Sequence, residues 1–150
     1  MLDSKNWKAR LENDCLFIDD LGQPTRGGSY GTLLQHNARS GIGAYIHPLR
    51  LGGVCLTQDS PWHHPHQHGI QTRFVGVNGS DFWHFPLKNG DKGVGKINAT
   101  LPRVIGTDPI KWAIDAVYQQ SDGEHLFLDR QIWSIHHVND LLLLDLQWCL

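Results

Sequence analysis

The sequence predicts an all-β protein, an antiparallel β-sandwich. Sixteen glycines and seven prolines interrupt short apolar segments along the whole chain, a pattern typical of strands joined by tight turns. Apolar and polar residues alternate in several of these segments, as they do in a strand with one buried face. A helical period of apolar residues is hard to find, so the composition favours strands packed in two layers.

Seven strands are predicted, each a short apolar segment bounded by turn signals such as Asn78-Gly79. In chain order they cover residues 15–18, 30–34, 53–57, 70–74, 110–115, 126–132 and 142–150. In the last segment every second residue from Leu142 to Leu150 is apolar, while Asp145 and Gln147 fall on the opposite face. This alternation predicts a strand with one buried side.

Residues 1–150 suit a single domain, and the length is enough to bury a core. The sequence stops at Leu150, inside the last strand pattern, with no turn or polar tail after it. Because an apolar edge strand promotes aggregation, we expect one of two arrangements. Either this is the N-terminal portion of a longer domain, or a partner covers the edge.

Composition argues against several classes of function. The formal net charge is −2 and the basic residues are scattered, which argues against a nucleic-acid partner. The longest purely apolar run, from Leu141 to Leu144, is far shorter than the roughly 20 residues of a membrane helix. No secretory signal pattern is visible, so we expect a cytoplasmic protein. Three cysteines without C-x-x-C spacing are expected to be free and largely buried.

Four of the ten histidines lie within six residues, namely His63, His64, His66 and His68. Trp62, two prolines and a glycine frame them, which indicates a shaped loop of the kind that commonly carries function. Neutral imidazole is a common metal ligand and also an acid or base that works near neutral pH. The histidines in strand-like stretches are expected to be structural, and these are His36, His125, His136 and His137.

Two chemistries fit this loop. In an extended conformation His64, His66 and His68 would project to one side, where they could hold a divalent metal such as zinc, iron or copper. They could equally bind a polar substrate, with one histidine passing protons. Asp59 and Asp81 are the carboxylates that could complete either site.

Four blocks of sequence follow in an order that resembles the PmoA-like family of bacterial proteins. The blocks are Tyr45-Ile46-His47-Pro48-Leu49, Leu56-Thr57-Gln58-Asp59-Ser60-Pro61, His64-Pro65-His66-Gln67-His68-Gly69 and Val77-Asn78-Gly79-Ser80-Asp81-Phe82-Trp83. His63 stands where that family often has aspartate, and Gln67-His68 replaces a common His-Arg pair. The resemblance implies a largely uncharacterised β-sandwich, similar to the galactose-mutarotase-like sandwiches in which histidines and an acid handle sugars.

We therefore expect a carbohydrate-active protein, a hydrolase, lyase or isomerase, whose partner is a small-molecule carbohydrate. The predicted catalytic residues are His66, His68 and Asp81, with His66 or His68 as general acid or base and Asp81 orienting a histidine. The predicted substrate contacts are His47, Asp59, Trp62, Arg73 and Trp83. Two alternatives stay open. One is a metal-dependent enzyme with His64, His66 and His68 as ligands, and the other is a non-catalytic sugar- or metal-binding module.

Overall fold

The computed structural model describes residues 6–24, 30–84, 93–139 and 141–150. These residues form ten strands and no α-helix, which confirms the all-β prediction. The strands are β1 (Trp7–Glu12), β2 (Cys15–Pro24), β3 (Tyr30–Arg39), β4 (Gly43–Leu51), β5 (Val54–Cys55), β6 (Lys96–Ala99), β7 (Arg103–Thr107), β8 (Ile110–Gln119), β9 (His125–Val138) and β10 (Leu141–Cys149). No helix in the described residues is long and apolar enough to cross a membrane.

The strands form two antiparallel sheets that pack as a β-sandwich. The first sheet has the order β1-β2-β3-β4-β5, and the second has the order β10-β9-β8-β6 with β7 also paired to β8. The main core lies between them, where Ile18 and Ile46 of the first sheet meet Trp112 and Trp133 of the second. The two indole rings are stacked with their centroids 6.3 Å apart.

Five of the seven predicted strands are confirmed, because residues 15–18, 30–34, 110–115 and 126–132 lie within β2, β3, β8 and β9, and the segment 142–150 coincides with β10 except at Leu150. The segment 53–57 is a strand only at Val54–Cys55. The strand predicted at 70–74 is wrong, since only Ile70 pairs, in a single bridge to Ile46. Four strands, β1, β4, β6 and β7, were not predicted.

Strand β4 escaped prediction because it does not alternate. Its residues from Gly43 to Ile46 are all buried, and Pro48 interrupts the apolar pattern. A strand covered on both faces reads as a continuous apolar run, not as alternation. This strand supports the site, because it carries Tyr45, Ile46 and His47.

The last strand lies where the sequence placed it, at the edge of the second sheet. β10 pairs only with β9, and Leu142, Leu144 and Leu146 pack against the core. Leu141 and Leu150 are exposed. The three cysteines are free thiols as expected, but the expectation of burial is wrong for Cys55 and Cys149, which are exposed.

A histidine expected to be structural lies at the centre of the core. His36 is 1% exposed, and its Nδ1 accepts a hydrogen bond from Trp112 Nε1 at 2.7 Å. The Trp133 ring packs against it edge to face, with centroids 5.6 Å apart. Burial lowers the pKa of His36 to about 3, because a charged imidazole here would lose its hydration.

His36 should make the fold sensitive to mild acid. Between its ordinary pKa of 6.5 and its folded pKa of about 3, the unfolded chain binds a proton that the folded chain cannot. Stability therefore falls as the pH drops through this window, by about 2 kcal/mol between pH 7 and pH 5. Urea unfolding at the two pH values measures this loss.

The variant His36→Gln keeps a hydrogen-bond acceptor for Trp112 but does not titrate, so most of the loss should disappear. Replacing the exposed His125 by glutamine is the matched control and should leave the loss in place. An unchanged pH dependence in His36→Gln would show that another group causes the acid sensitivity.

Candidate functional site

The histidine-rich segment is a closed loop that is fixed to β4. Ile46 and Ile70 exchange two backbone hydrogen bonds, of 2.9 and 3.0 Å. The Gly69 amide donates to the carbonyl of Gln58 at 2.9 Å, which brings the two ends of the loop together. Residues 58–70 therefore project from the first sheet as one anchored unit.

Two successive turns shape the interior of this loop. The His64 amide donates to the Pro61 carbonyl at 2.8 Å, and the Gln67 amide donates to the His64 carbonyl at 3.0 Å. The expectation of an extended segment is therefore wrong. Because of the turns, His64, His66 and His68 do not follow the two-residue period that would aim them to one side.

His68 is buried at the base of the loop and is only 2% exposed. Its Nδ1 is hydrogen-bonded to Asp59 Oδ1, and the Ser60 hydroxyl lies 3.1 Å from the same nitrogen. The His68 ring also packs against Tyr45, with centroids 4.7 Å apart. The partly exposed Asp59 and the buried His68 thus form a hydrogen-bonded pair that holds the loop together.

The remaining rings form a continuous series that we call the ring row. It consists of Trp62, His63, His64, His66 and His84, with Trp83 beside His66. Along the loop the centroid distances are 5.1 Å for Trp62–His63, 4.7 Å for His63–His64 and 5.7 Å for His64–His66. The His66 centroid lies 4.6 Å from that of His84 and 6.2 Å from that of Trp83. The row joins the histidine loop to the Asp81-Phe82-Trp83-His84 turn.

Asp81 holds the far end of the ring row. Its Oδ2 lies 2.6 Å from His84 Nδ1, and its Oδ1 accepts a 2.7 Å hydrogen bond from the Trp83 amide. Burial alone would raise the pKa of Asp81, but the hydrogen bonds from His84 and from two backbone amides outweigh it and lower the pKa. The carboxylate is therefore charged at neutral pH and orients the His84 ring.

His66 occupies the middle of the ring row and is 9% exposed. Burial, and then the neighbouring His84, His64 and Arg73, lower the pKa of His66 below its ordinary value. Its imidazole is therefore neutral at neutral pH and able to accept a proton. His66 and His84 lie close enough to act on the same bound group.

Two of the predicted substrate contacts, Arg73 and His47, form hydrogen bonds within the protein. The Arg73 guanidinium donates to the carbonyls of Ile42 and Trp83, at 2.8 and 3.4 Å. Burial lowers the pKa of Arg73 to about 10, so the group is still charged at neutral pH. His47 Nδ1 lies 2.9 Å from the Thr57 hydroxyl. Both side chains help to fix the backbone around the site.

The predicted site residues therefore divide into two groups. Trp62, His64, His66, Asp81 and Trp83 meet at the ring row, whereas Asp59 and His68 form a separate hydrogen-bonded pair within the loop. His84 is the residue that sequence reasoning did not select. The available signal was its position three residues after Asp81, a spacing that lets the two side chains meet within one turn.

The metal interpretation stays a prediction. His64 and His66 are in ring contact, but His68 is paired with Asp59 below them. Across residues 6–24, 30–84, 93–139 and 141–150, no three histidine, cysteine or acidic side chains are grouped so that they could hold a metal ion.

Comparison with known proteins gives a family without an assigned activity. A family model described as a family of unknown function, DUF6807, matches residues 28–150. No curated protein and no solved structure matches the chain.

Proposed function

The chain belongs to the DUF6807 family, whose function is unknown, and we propose that its ring row binds carbohydrate and that two of its imidazoles exchange protons with the bound sugar. The observation that carries the proposal is the pairing of Trp62 and Trp83 with imidazoles, one of which is held by a carboxylate. The resemblance to PmoA-like and galactose-mutarotase-like sandwiches supports the choice of ligand.

The two indoles supply the apolar part of the binding site. Trp62 is 91% exposed at the tip of an anchored loop, and Trp83 is half-buried beside His66. A flat aromatic face suits the C–H face of a pyranose, and the indole N–H can hydrogen-bond to a hydroxyl. An exposed tryptophan on a loop that is already ordered can bind with little loss of conformational freedom.

The imidazoles supply the polar part and the proton chemistry. With Asp81 accepting from Nδ1–H of His84, the other ring nitrogen of His84 is left to contact a ligand. The carboxylate also fixes the orientation of the His84 ring, and we assign His84 the role of acid. His66 is neutral and suits the role of base. The pair would move a proton onto one sugar oxygen and take one from another.

Binding by purified protein tests the proposal. A panel of neutral mono- and oligosaccharides, measured by isothermal titration calorimetry, should include at least one binder. The variants Trp83→Ala and His66→Ala should each weaken that binding at least tenfold, because they remove the stacking face and the central hydrogen-bonding ring. His125→Ala removes an exposed imidazole outside the ring row and should bind as the parent does. The proposal fails if no sugar binds, or if the three variants behave alike.

Metal content and turnover separate the alternatives. Protein purified without a histidine tag should contain no stoichiometric zinc, iron or copper, and these ions should not shift its melting temperature. If the parent protein contains a stoichiometric metal that the His64→Ala variant lacks, the result would favour the metal-dependent enzyme over proton transfer by the imidazoles. Sugar binding that survives in both His66→Gln and His84→Gln, with no turnover by the parent, would favour the non-catalytic binding module.

A further inference from the structure

The ring row is an open surface and not an enclosed pocket. Trp62 projects almost completely into solvent, and His63 and His64 are exposed beside it. His66 and Trp83 lie deeper, so the row runs from a solvent-facing end to a partly buried end. A ligand lying on this surface would be covered mainly from one side.

The two indoles occupy different parts of the row. Trp62 contacts His63, whereas Trp83 contacts His66, and the described residues include no ring contact between the two indoles. Three imidazole rings separate the two indoles along the row, so a pyranose stacked on one indole leaves the other for a further unit. A ligand that uses both indoles must therefore extend over more than one sugar unit.

The openness of the row also bears on affinity. Small ligands are usually held in concave sites that bury most of their surface. A surface that covers one side of each sugar gives little binding energy per unit, so useful affinity has to accumulate over several units. The ring row provides successive contacts, and its anchored loop keeps them in place before binding.

We infer that the ligand of the ring row is a linear oligosaccharide bound along the row, with one unit at His66 and Trp83 and a further unit reaching Trp62. The inference rests on the proposed function and names the substrate class of the same site. The deep end carries the proton-exchanging imidazoles, and the exposed end adds affinity for longer chains.

A length series tests this inference directly. Cello-, xylo- and malto-oligosaccharides of one to six units should be titrated into the protein alongside glucose and xylose. In the series that binds, affinity should rise at least tenfold between one and four units. Trp62→Ala should remove most of this rise, so that four units bind the variant little better than one. Leu11→Ala, which truncates an exposed apolar side chain of β1, is the control and should keep the full rise.

The outcomes separate the two proposals. Equal affinity for one unit and for four overturns the oligosaccharide inference but leaves sugar binding intact. A length dependence that Trp62→Ala does not reduce also overturns it, because the extra units would then lie elsewhere. No binding by any member of the three series overturns the proposed function, and the inference falls with it.

Discussion

Replacing Gly69 by alanine is expected to lower the free energy of unfolding by more than about 3 kcal/mol and to abolish ligand binding at the ring row. The φ angle of Gly69 is +43°, in the left-handed region that favours glycine. A Cβ atom here would lie 2.0 Å from the backbone carbonyl oxygen of Ile46. A backbone atom cannot rotate out of the way, so the loop has to leave β4.

The contact between the added Cβ atom and the Ile46 carbonyl would lie at the anchor of the histidine loop. Ile46 and Ile70 exchange their two hydrogen bonds next to it, and these bonds fix the end of the histidine loop. Displacing the loop breaks them and moves His66 away from His84 and Trp83. We therefore expect faster amide hydrogen exchange at Ile46 and Ile70, together with the loss of sugar binding.

Gly76→Ala provides a matched control. Its φ angle of +75° carries a similar backbone penalty, but nothing lies within 4 Å of the added Cβ. We expect a loss of only about 1 kcal/mol in urea unfolding, with binding retained. If Gly69→Ala proves no less stable than Gly76→Ala and keeps slow exchange at Ile46 and Ile70, the loop is not anchored as described.

The fold could be predicted where each strand is informative by itself. The alternation of apolar residues in β8 and along the last nine residues was sufficient to predict β8 and β10. In β8 the opposite face is buried too, at Ala113 and Asp115. β4 is covered on both faces and contains Pro48, so its local pattern contains no signal of this kind. Its identity as a strand depends on pairing with β3, which precedes it across a three-residue connection at residues 40–42.

The position of the site could be predicted from the sequence, but the side-chain pairs within it could not. Histidine density and framing residues pointed to residues 60–69, which contribute Trp62, His63, His64 and His66 to the ring row. Asp81 was expected to orient a histidine, and the histidine that it contacts is His84 within its own turn. His68 was expected to be catalytic, but Asp59 holds it below the surface. The turns at Pro61 and His64 decide which rings face outward, and residue spacing alone does not reveal them.

The wrongly predicted strand at 70–74 shows how the interior supports the site. Its Thr72 hydroxyl accepts a 2.8 Å hydrogen bond from Gln131 Nε2, and its carbonyl accepts one from the Tyr118 hydroxyl at 3.3 Å. These bonds go to side chains of the second sheet and not to a neighbouring strand. The segment is therefore apolar enough to resemble a strand, yet it serves as a connection between the sheets. Arg73, which donates to the Trp83 carbonyl, is placed by this connection.

Asp129 is the centre of that interior network. It has no exposed surface, and burial raises the pKa of its carboxyl group. Its Oδ2 accepts a hydrogen bond from Gln131 Nε2 at 2.8 Å, and its Oδ1 accepts one from Trp148 Nε1 at 2.8 Å. The same carboxyl group thus ties the edge strand β10 to β9 and orients the Gln131 amide that reaches Thr72.

Asp129→Ala is expected to lower the free energy of unfolding by about 3–5 kcal/mol, because Trp148 Nε1 loses its acceptor within the fold and Gln131 Nε2 keeps only the Thr72 hydroxyl. Trp148→Phe is the matched comparison, since it removes one donor and keeps an aromatic ring against Phe74, whose centroid is 5.1 Å from that of Trp148. That variant should lose only about 1 kcal/mol in urea unfolding. Equal losses in the two variants would show that Asp129 serves only the edge strand. A larger loss in Asp129→Ala, accompanied by weaker sugar binding, would link the interior carboxyl to the ring row through Thr72 and Arg73.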